Sequence, residues 1–145
     1  MVVSLHNQKI NQDVQQREAK KDKMKNMTPY ESWEQEQVFR WKRANQIKHP
    51  ELQLMYASLN GVRLSPGLRK KMKAQGLEPG FPDINLDVAR NGYHGLRIEL
   101  KRVKGGVVSK DQKIIIASLN EQNYLTVVCA GHAEAIKQIK LYLGI

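Results

Sequence analysis

The sequence predicts a single α/β domain, and three observations support this prediction. Stretches in which apolar residues recur every three or four positions alternate with short stretches in which every second residue is apolar. Glycine, proline and Asn-Gly pairs separate these stretches and mark turns. A length of 145 residues suits one compact domain and is too short for two. The predicted order of elements is α-β-α-β-β-α-β-α.

The first predicted element is a helix that follows a polar N-terminal arm. Residues 1–29 are rich in Gln, Asn, Lys and Asp, with apolar residues too thinly spread to form a face, so we expect a mobile or loosely helical arm. The folded domain is predicted for residues 30–145. Its first helix ends at His49-Pro50. The apolar residues at helical spacing are Trp33, Val38, Trp41, Ala44 and Ile47.

A short strand and a basic helix are predicted next. Residues 52–57 alternate well enough for a strand before the Asn60-Gly61 turn signal. Ser65-Pro66 then offers an N-cap and a proline for the first turn of a helix that Gly76 ends.

A pair of strands follows. Residues 84–89 and 96–103 both alternate between apolar and other residues, and Asn91-Gly92 lies between them. Two strands joined by a short connection are the natural interpretation.

The last third of the chain predicts a helix, a strand and a helix. Ser109 can cap a helix through about Glu121, residues 124–130 are typical of a buried strand, and residues 132–143 form an amphipathic helix. Cys129 lies in the apolar strand, where we expect a buried structural thiol rather than a nucleophile.

The charge balance favours a polyanionic partner. Lys and Arg number 24 against 14 Asp and Glu, which gives a net charge of +10. Such an excess is typical of proteins that bind nucleic acid. Proteins that merely dock on acidic surfaces also have it, so charge alone names no reaction.

The compartment is predicted from what the sequence lacks. The first residues have neither the basic start nor the apolar stretch of a signal peptide, and no apolar run approaches a membrane-spanning length. With one cysteine, no disulfide can form within the chain. We therefore expect a cytoplasmic protein without membrane association.

The strongest chemical signal lies in the predicted strand pair. Residues two apart in a strand share a face, so Glu99 and Lys101 emerge side by side. Asp83 opens the preceding strand, directly after Pro82. If the strands pair antiparallel and Asp83 meets Glu99 where they diverge, two carboxylates and one ammonium converge.

Such a cluster suits metal-assisted phosphodiester hydrolysis. Two carboxylates are ligands that Mg²⁺ or Mn²⁺ prefers, and Lys101 can orient a water or neutralise charge on the phosphate. An exposed Glu-X-Lys is more often a solvated pair. The start of a strand at Asp83, the apolar surroundings of Glu99 and the basic chain favour the catalytic interpretation.

Several segments together follow a known family pattern. They are residues 76–86 (GLEPGFPDINL), 96–101 (LRIELK) and 109–112 (SKDQ), with single matches at Trp41, Asn60-Gly61 and Arg63. Over about residues 31–143 the chain resembles the VRR-NUC family, a branch of the PD-(D/E)XK nucleases, in its short stand-alone phage and prophage form. It departs from that pattern at Leu59, where a proline commonly precedes Asn-Gly.

The resemblance implies a restriction-endonuclease-like αβββαβ core, a small mixed sheet flanked by helices. It also implies a Mg²⁺-dependent DNA endonuclease, with Mn²⁺ as a substitute, that acts as a homodimer on branched DNA such as Holliday junctions. A phage-encoded member would act in the host cytoplasm. Asp83, Glu99 and Lys101 match the catalytic positions one by one, and the implied metal ligands are Asp83, Glu99, Leu100 and Glu31.

Two further site positions are carried over from the family. Its helix-one Glu and the Gln four residues later fall on Glu31 and Gln35, which share a helix face, and Glu34 is a competing assignment. Gln112 matches a family glutamine, whose amide could hold a phosphate or the catalytic lysine.

Basic residues near these positions are predicted to contact DNA phosphates. They are Arg63, Arg69, Lys70, Lys71, Lys73, Lys104 and Lys110. The alternatives are a non-catalytic nucleic-acid-binding module with a nuclease fold, and a restriction-like nuclease with a sequence preference. No Gly-rich phosphate loop precedes a helix, so no nucleotide cofactor is expected.

Overall fold

Residues 30–60, 62 and 64–145 are described by the computed structural model of this chain, so the predicted arm and Arg63 lie outside it. The described elements are α1 (Glu31–Asn45), a 3₁₀ helix (Pro50–Leu54), β1 (Met55–Ala57), α2 (Pro66–Ala74), β2 (Ile84–Leu86), β3 (Leu96–Lys101), α3 (Lys110–Glu121), β4 (Leu125–Ala130) and α4 (His132–Leu143). The predicted order and the α/β fold are confirmed. None of the described helices is both long and apolar enough to span a membrane.

The four described strands form one mixed sheet in the order β1-β2-β3-β4. β2 pairs antiparallel with β1 and with β3, whereas β3 and β4 run parallel. A parallel pair needs a crossover connection, which α3 supplies. Ile84 lies opposite Ile98. Asp83, the residue before β2, is therefore level with Glu99.

One face of β3 belongs to the hydrophobic core. Leu96, Ile98 and Leu100 are almost completely buried and lie in one cluster with Val38 of α1 and Ile139 of α4. Since alternate residues of a strand point to opposite faces, this packing fixes which β3 side chains point the other way.

The opposite face of β3 is polar and also buried. Arg97, Glu99 and Lys101 expose at most 9% of their surface. Charged residues are rarely buried this deeply unless they are paired. The polar face of the sheet is therefore the candidate location of a functional site.

Predicted caps and turns are confirmed where the structure describes them. Ser65 accepts a hydrogen bond from the first turn of α2, and Ser109 and Gln112 form a reciprocal capping box at the start of α3. Asn91-Gly92 adopts positive φ angles of 54° and 84°, as a tight turn between two strands requires.

The strand predicted for residues 52–57 is only half correct. The chain from Pro50 to Leu54 forms a 3₁₀ helix, and β1 begins at Met55. Proline favours a helical first turn because its φ angle is fixed near the helical value. The apolar alternation arises because Leu52 is buried from within that helical turn.

The strands β2 and β3 are also shorter than predicted. β2 ends at Leu86 rather than at residue 89, and β3 ends at Lys101 rather than at residue 103. Val88 remains buried after β2 ends. Apolar alternation therefore continues beyond the hydrogen-bonded ladder.

Two expectations about burial are wrong. Ile47 was predicted on the apolar face of the first helix but is 92% exposed, because α1 already ends at Asn45. β4 was predicted to be buried, but only Cys129 is: three of its six residues are half-buried and two are exposed, Val128 to 43%. β4 lies at the edge of the sheet, which leaves one side open.

Replacing Ile98 by alanine is expected to lower the free energy of unfolding by about 2–5 kcal/mol, because it leaves a cavity in the core. Ile47→Ala is the matched control and should change it by less than about 0.5 kcal/mol. Urea unfolding followed by circular dichroism measures both. Equal losses for the two variants would contradict the assigned core.

Candidate active site

Asp83 is anchored beside β3 by main-chain contacts. Its carboxylate Oδ2 accepts a hydrogen bond of 2.8 Å from the Leu100 N–H. Its carbonyl oxygen accepts another of 2.8 Å from the Ser58 N–H, which continues the β1–β2 pairing by one step. The side chain is therefore held at the edge where β2 begins and next to the centre of β3.

Glu99 forms the buried centre of the cluster. Its side chain is 1% exposed. Oε1 lies 2.6 Å from Lys101 Nζ and accepts a hydrogen bond of 2.6 Å from Gln112 Nε2. Oε2 is buried and has no hydrogen-bond partner among the described residues. One carboxylate oxygen is thus fixed by two donors, and the other has none among the described residues.

Gln112 connects the cluster to the crossover helix. Its Oε1 accepts from the Ser109 N–H at 2.8 Å, which completes the capping box, while Nε2 donates to Glu99. The sequence analysis expected this amide to hold a phosphate or Lys101. In the structure its hydrogen bond goes to Glu99 instead of Lys101. The start of α3 is therefore fixed relative to β3.

The loop after β3 closes over Lys101. A Cβ atom at Gly106 would lie 2.7 Å from the Cβ of Lys101, too close for any residue other than glycine. The loop that contains Gly106 thus has a packing role. It helps to bury the lysine stem and leaves the ammonium directed at Glu99.

Burial shifts the acidity of both carboxyl groups. It raises the pKa of Glu99 to about 7, against the opposing hydrogen bond from Lys101 and with a further increase from Asp83. It also raises the pKa of Asp83, although the Leu100 N–H and Lys101 act in the opposite direction. Two adjacent carboxylates with little access to water repel each other, so a bound cation is favoured between them.

The two acidic residues at the start of α1 lie in different surroundings. Glu31 is exposed and lines the same cavities as Asp83, whose pKa it helps to raise. Glu34 is 2% exposed, and its Oε2 accepts from the backbone N–H of His132 at 2.8 Å and contacts the ring Nδ1 at 2.5 Å. Glu31 faces the cluster, whereas Glu34 joins α1 to the start of α4.

Two cavities meet at Asp83. The smaller, here called the catalytic cavity, has a volume of about 250 Å³ and is lined by Asp83, Glu99, Lys101 and Gln112, among others. The larger, here called the helix-one cavity, has about 870 Å³. Its lining includes Glu31, Gln35, Asp83, Leu100 and Arg102. Every sequence-predicted residue of the catalytic set therefore lines one or both cavities.

Comparison with known proteins identifies the family. A family model described as the VRR-NUC domain matches residues 7–133. The chain belongs to the VRR-NUC family. A solved structure described as a VRR_NUC domain protein is similar to it, with a TM-score of 0.68, 30% sequence identity and coverage of 81% of this chain and 91% of that chain. No match was found among curated proteins.

Membership makes this a nuclease-type domain with the expected fold, a small mixed sheet between helices. The family match begins at residue 7, inside the segment that the sequence analysis assigns to the arm. The boundary predicted at residue 29 stays a prediction, because residues 1–29 lie outside the described part.

The acidic cluster of this VRR-NUC domain fits a hard divalent cation. The described residues contain no group of three or more His, Cys, Asp or Glu that forms a complete metal cage. Mg²⁺ needs no such cage, since it binds through one or two carboxylates and keeps several waters. The unpartnered Oε2 of Glu99 beside Asp83 offers such a donor pair. Leu100 can offer only main-chain atoms, because its side chain is in the core.

The predicted phosphate-binding residues fall into two groups. Arg69 and Lys73 of α2 line the catalytic cavity. The other described ones are exposed but line neither of the two cavities. These are Lys70, Lys71, Lys104 and Lys110.

Sequence reasoning missed two residues that line the site and one that fixes helix one. Arg102 lines the helix-one cavity and Asp111 the catalytic cavity. His132 holds Glu34, outside both cavities. A signal existed for Glu34: it lies four residues before Val38 and thus on the buried face of α1. No comparable pattern marks Arg102 or Asp111.

Replacing Glu99 by glutamine is expected to change the pH dependence of stability in the metal-free protein. As the pH rises from about 5 to about 8, the free energy of unfolding of Glu99→Gln should increase relative to that of wild type. The pKa of Glu99 in the folded protein, about 7, lies above its ordinary value of 4.5. The folded wild type therefore binds more protons than the unfolded chain in this window and loses stability as pH rises. Glutamine has no such loss.

Urea unfolding in EDTA at several pH values measures this difference. Glu51→Gln is the control, because Glu51 is a half-exposed partner in a surface ion pair. A stability difference between Glu99→Gln and wild type that does not change with pH would rule out the assigned titration.

Proposed function

We propose that this VRR-NUC domain is a Mg²⁺-dependent DNA endonuclease that hydrolyses phosphodiester bonds in branched DNA. The observation that carries the proposal is the pair of half-buried Asp83 and buried Glu99, with one carboxylate oxygen of Glu99 unpartnered and Lys101 at 2.6 Å from the other. A chain that only binds DNA has no need for two adjacent carboxylates in the cleft that receives the phosphate, because they repel it unless a cation intervenes.

The residues that would hold Mg²⁺ are Asp83 and Glu99, with Glu31 and the main chain of Leu100 at the edge of the same cavities. When bound there, the metal would supply a Lewis acid for the phosphate and lower the pKa of a water. Mn²⁺ prefers similar ligands and should substitute.

The side chains around the pair have separate tasks. Lys101 holds Glu99 by one oxygen and places a positive charge where negative charge develops on the phosphate. Gln112 fixes the same oxygen, so Glu99 cannot rotate freely. Arg69 and Lys73 also line the catalytic cavity and can bind flanking phosphates without reading sequence.

Selection of branched DNA and action as a homodimer are supported by resemblance to the stand-alone members of the family. Two active sites in a symmetric dimer would suit the two strands that a four-way junction presents. A cytoplasmic location of the reaction is part of the same proposal.

Asp83→Ala is expected to reduce the cleavage rate by about 100-fold or more, because it removes a metal donor. The assay uses labelled Holliday junction, flap, duplex and single-stranded DNA with Mg²⁺, Mn²⁺ or EDTA. Glu51→Gln, a carboxylate change on the surface, should leave the rate unchanged.

Rapid cutting by Asp83→Ala, or cutting in EDTA, would exclude the proposed centre. Salt-sensitive binding without cutting by the wild type would favour the alternative, a nucleic-acid-binding module that keeps the nuclease fold.

Glu31 and Glu34 offer a matched pair within one turn of α1. Glu31→Ala should reduce cleavage about tenfold or more with little loss of stability, since the side chain is exposed beside Asp83. Glu34→Ala should lower the free energy of unfolding by about 1.5–3 kcal/mol, because it removes charged hydrogen bonds to His132. Folded Glu34→Ala should still cut. The reverse pattern would show that the helix-one acid is Glu34.

A further inference from the structure

A third cavity lies on the polar face of the sheet, beside the catalytic cavity. It has a volume of about 520 Å³ and is here called the aromatic cavity, because the rings of Tyr56, Phe81 and Tyr124 line it. Asn60, Leu77 and Phe81 line both this cavity and the catalytic cavity. The two cavities therefore adjoin, and one bound molecule can extend from one cavity into the other.

The floor of the aromatic cavity is a row of side chains across the sheet. Tyr56 of β1 lies opposite Asn85 of β2, which lies opposite Arg97 of β3. The neighbouring row, two residues along each strand, contains Asp83 and Glu99. Two residues of strand span about 7 Å. The aromatic cavity is therefore about 7 Å from the carboxylate pair.

One polar group in this cavity is buried without a hydrogen bond. The Ser58 hydroxyl is buried and has no partner among the described residues. Buried polar groups normally have a partner, so this hydroxyl is free to bind a ligand. Asn85, which is 9% exposed, also lines the cavity and adds an amide that can both donate and accept.

The charges of the cavity argue against a phosphate. Arg97 is the one cation in the lining, and its Nη1 already lies 2.9 Å from Asp87 Oδ1. The guanidinium is 4.4 Å from the centre of the Tyr124 ring, a cation–π contact that further stabilises its position. Glu78 adds a negative charge to the lining. A neutral, planar ligand with polar edges fits these groups better than an anion.

We propose that the aromatic cavity binds an unstacked nucleobase of the DNA strand whose phosphate lies in the catalytic cavity. This inference rests on the proposed nuclease function and specifies how branched DNA is selected. A base can stack on the Tyr56 or Phe81 ring and direct its edge to Asn85 and Ser58. Each nucleotide advances the strand by at least the 3.4 Å rise of stacked DNA, so an offset of about 7 Å places the base within about two nucleotides of the cut.

Base capture favours DNA in which a base is already unpaired. A base inside a duplex must be unpaired and unstacked before it can enter such a cavity, whereas bases beside a branch point have less stacking to lose. The aromatic cavity would thus discriminate by DNA structure and not by a long sequence.

The test measures binding and cleavage of branched DNA in which one base at a time, within about four nucleotides of the cut, is replaced by an abasic analogue. Binding uses fluorescence anisotropy with Asp83→Asn in Mg²⁺. Removal of one base should weaken binding about tenfold, at the low end of the range for base stacking on an aromatic side chain. The other abasic positions should change binding less than twofold.

Variants of Tyr56 assign the effect to the aromatic cavity. Tyr56 is 48% exposed, so Tyr56→Ala should fold. It should weaken binding of intact DNA about tenfold and lose its sensitivity to the abasic position. Tyr56→Phe keeps the ring and should behave as wild type. Tyr93→Ala is the matched control, since Tyr93 is 37% exposed and does not line the cavity.

The possible outcomes separate this inference from the proposed function. Metal-dependent cleavage in which no abasic position weakens binding would overturn the base site and leave the proposed nuclease function standing. If nothing is cut, the binding measurements still decide. One abasic position that weakens binding in the Asp83→Asn protein but not after Tyr56→Ala supports the base site, whereas equal binding at all positions, or no binding, overturns it. The scan of the Asp83→Asn protein needs no change at Tyr56, so a folding defect in Tyr56→Ala would not prevent a decision.

Discussion

The buried carboxylate of Glu99 is the constraint on which the rest of the site depends. A charge that is 1% exposed carries a desolvation penalty of several kcal/mol unless neighbours offset it. Lys101 and Gln112 do so at one oxygen only. Since the other oxygen stays buried and unpartnered, the fold keeps a destabilising feature at one point. That pattern is typical of a site built for a ligand and not of a core built for stability.

The same contact explains how the helices are placed. Gln112 is a capping residue of α3 and a hydrogen-bond donor to Glu99, so the helix cannot shift without disturbing the carboxylate. On the other side of the sheet, Glu34 fixes the start of α4 to α1 through His132. Two buried glutamates thus orient helices on opposite faces of the sheet. Of these two glutamates, only Glu99 has a buried oxygen without a partner among the described residues, and Glu99 lines the catalytic cavity.

The sequence predicted the order of elements, the caps and the convergence of Asp83, Glu99 and Lys101, because these follow from local spacing. Periodicity shows that one face of β3 is apolar, but it does not show what covers the other. The contact of Gln112 with Glu99 and the aromatic cavity both depend on where α3 lies over the sheet. The length of β1 was misjudged for a related reason: Leu52 is buried from a 3₁₀ turn, which alternation cannot distinguish from a strand.

The polar face of the sheet places recognition and chemistry on one rigid support. β2 contributes Asp83 and Asn85, and β3 contributes Arg97 and Glu99, in adjacent rows. The distance between rows is set by strand geometry and not by loops, so it varies little. If the aromatic cavity holds a base, the position of the cut relative to that base is therefore fixed by the fold. Cleavage at a constant offset from a branch point then requires no reading of sequence, only an unpaired base at the right distance.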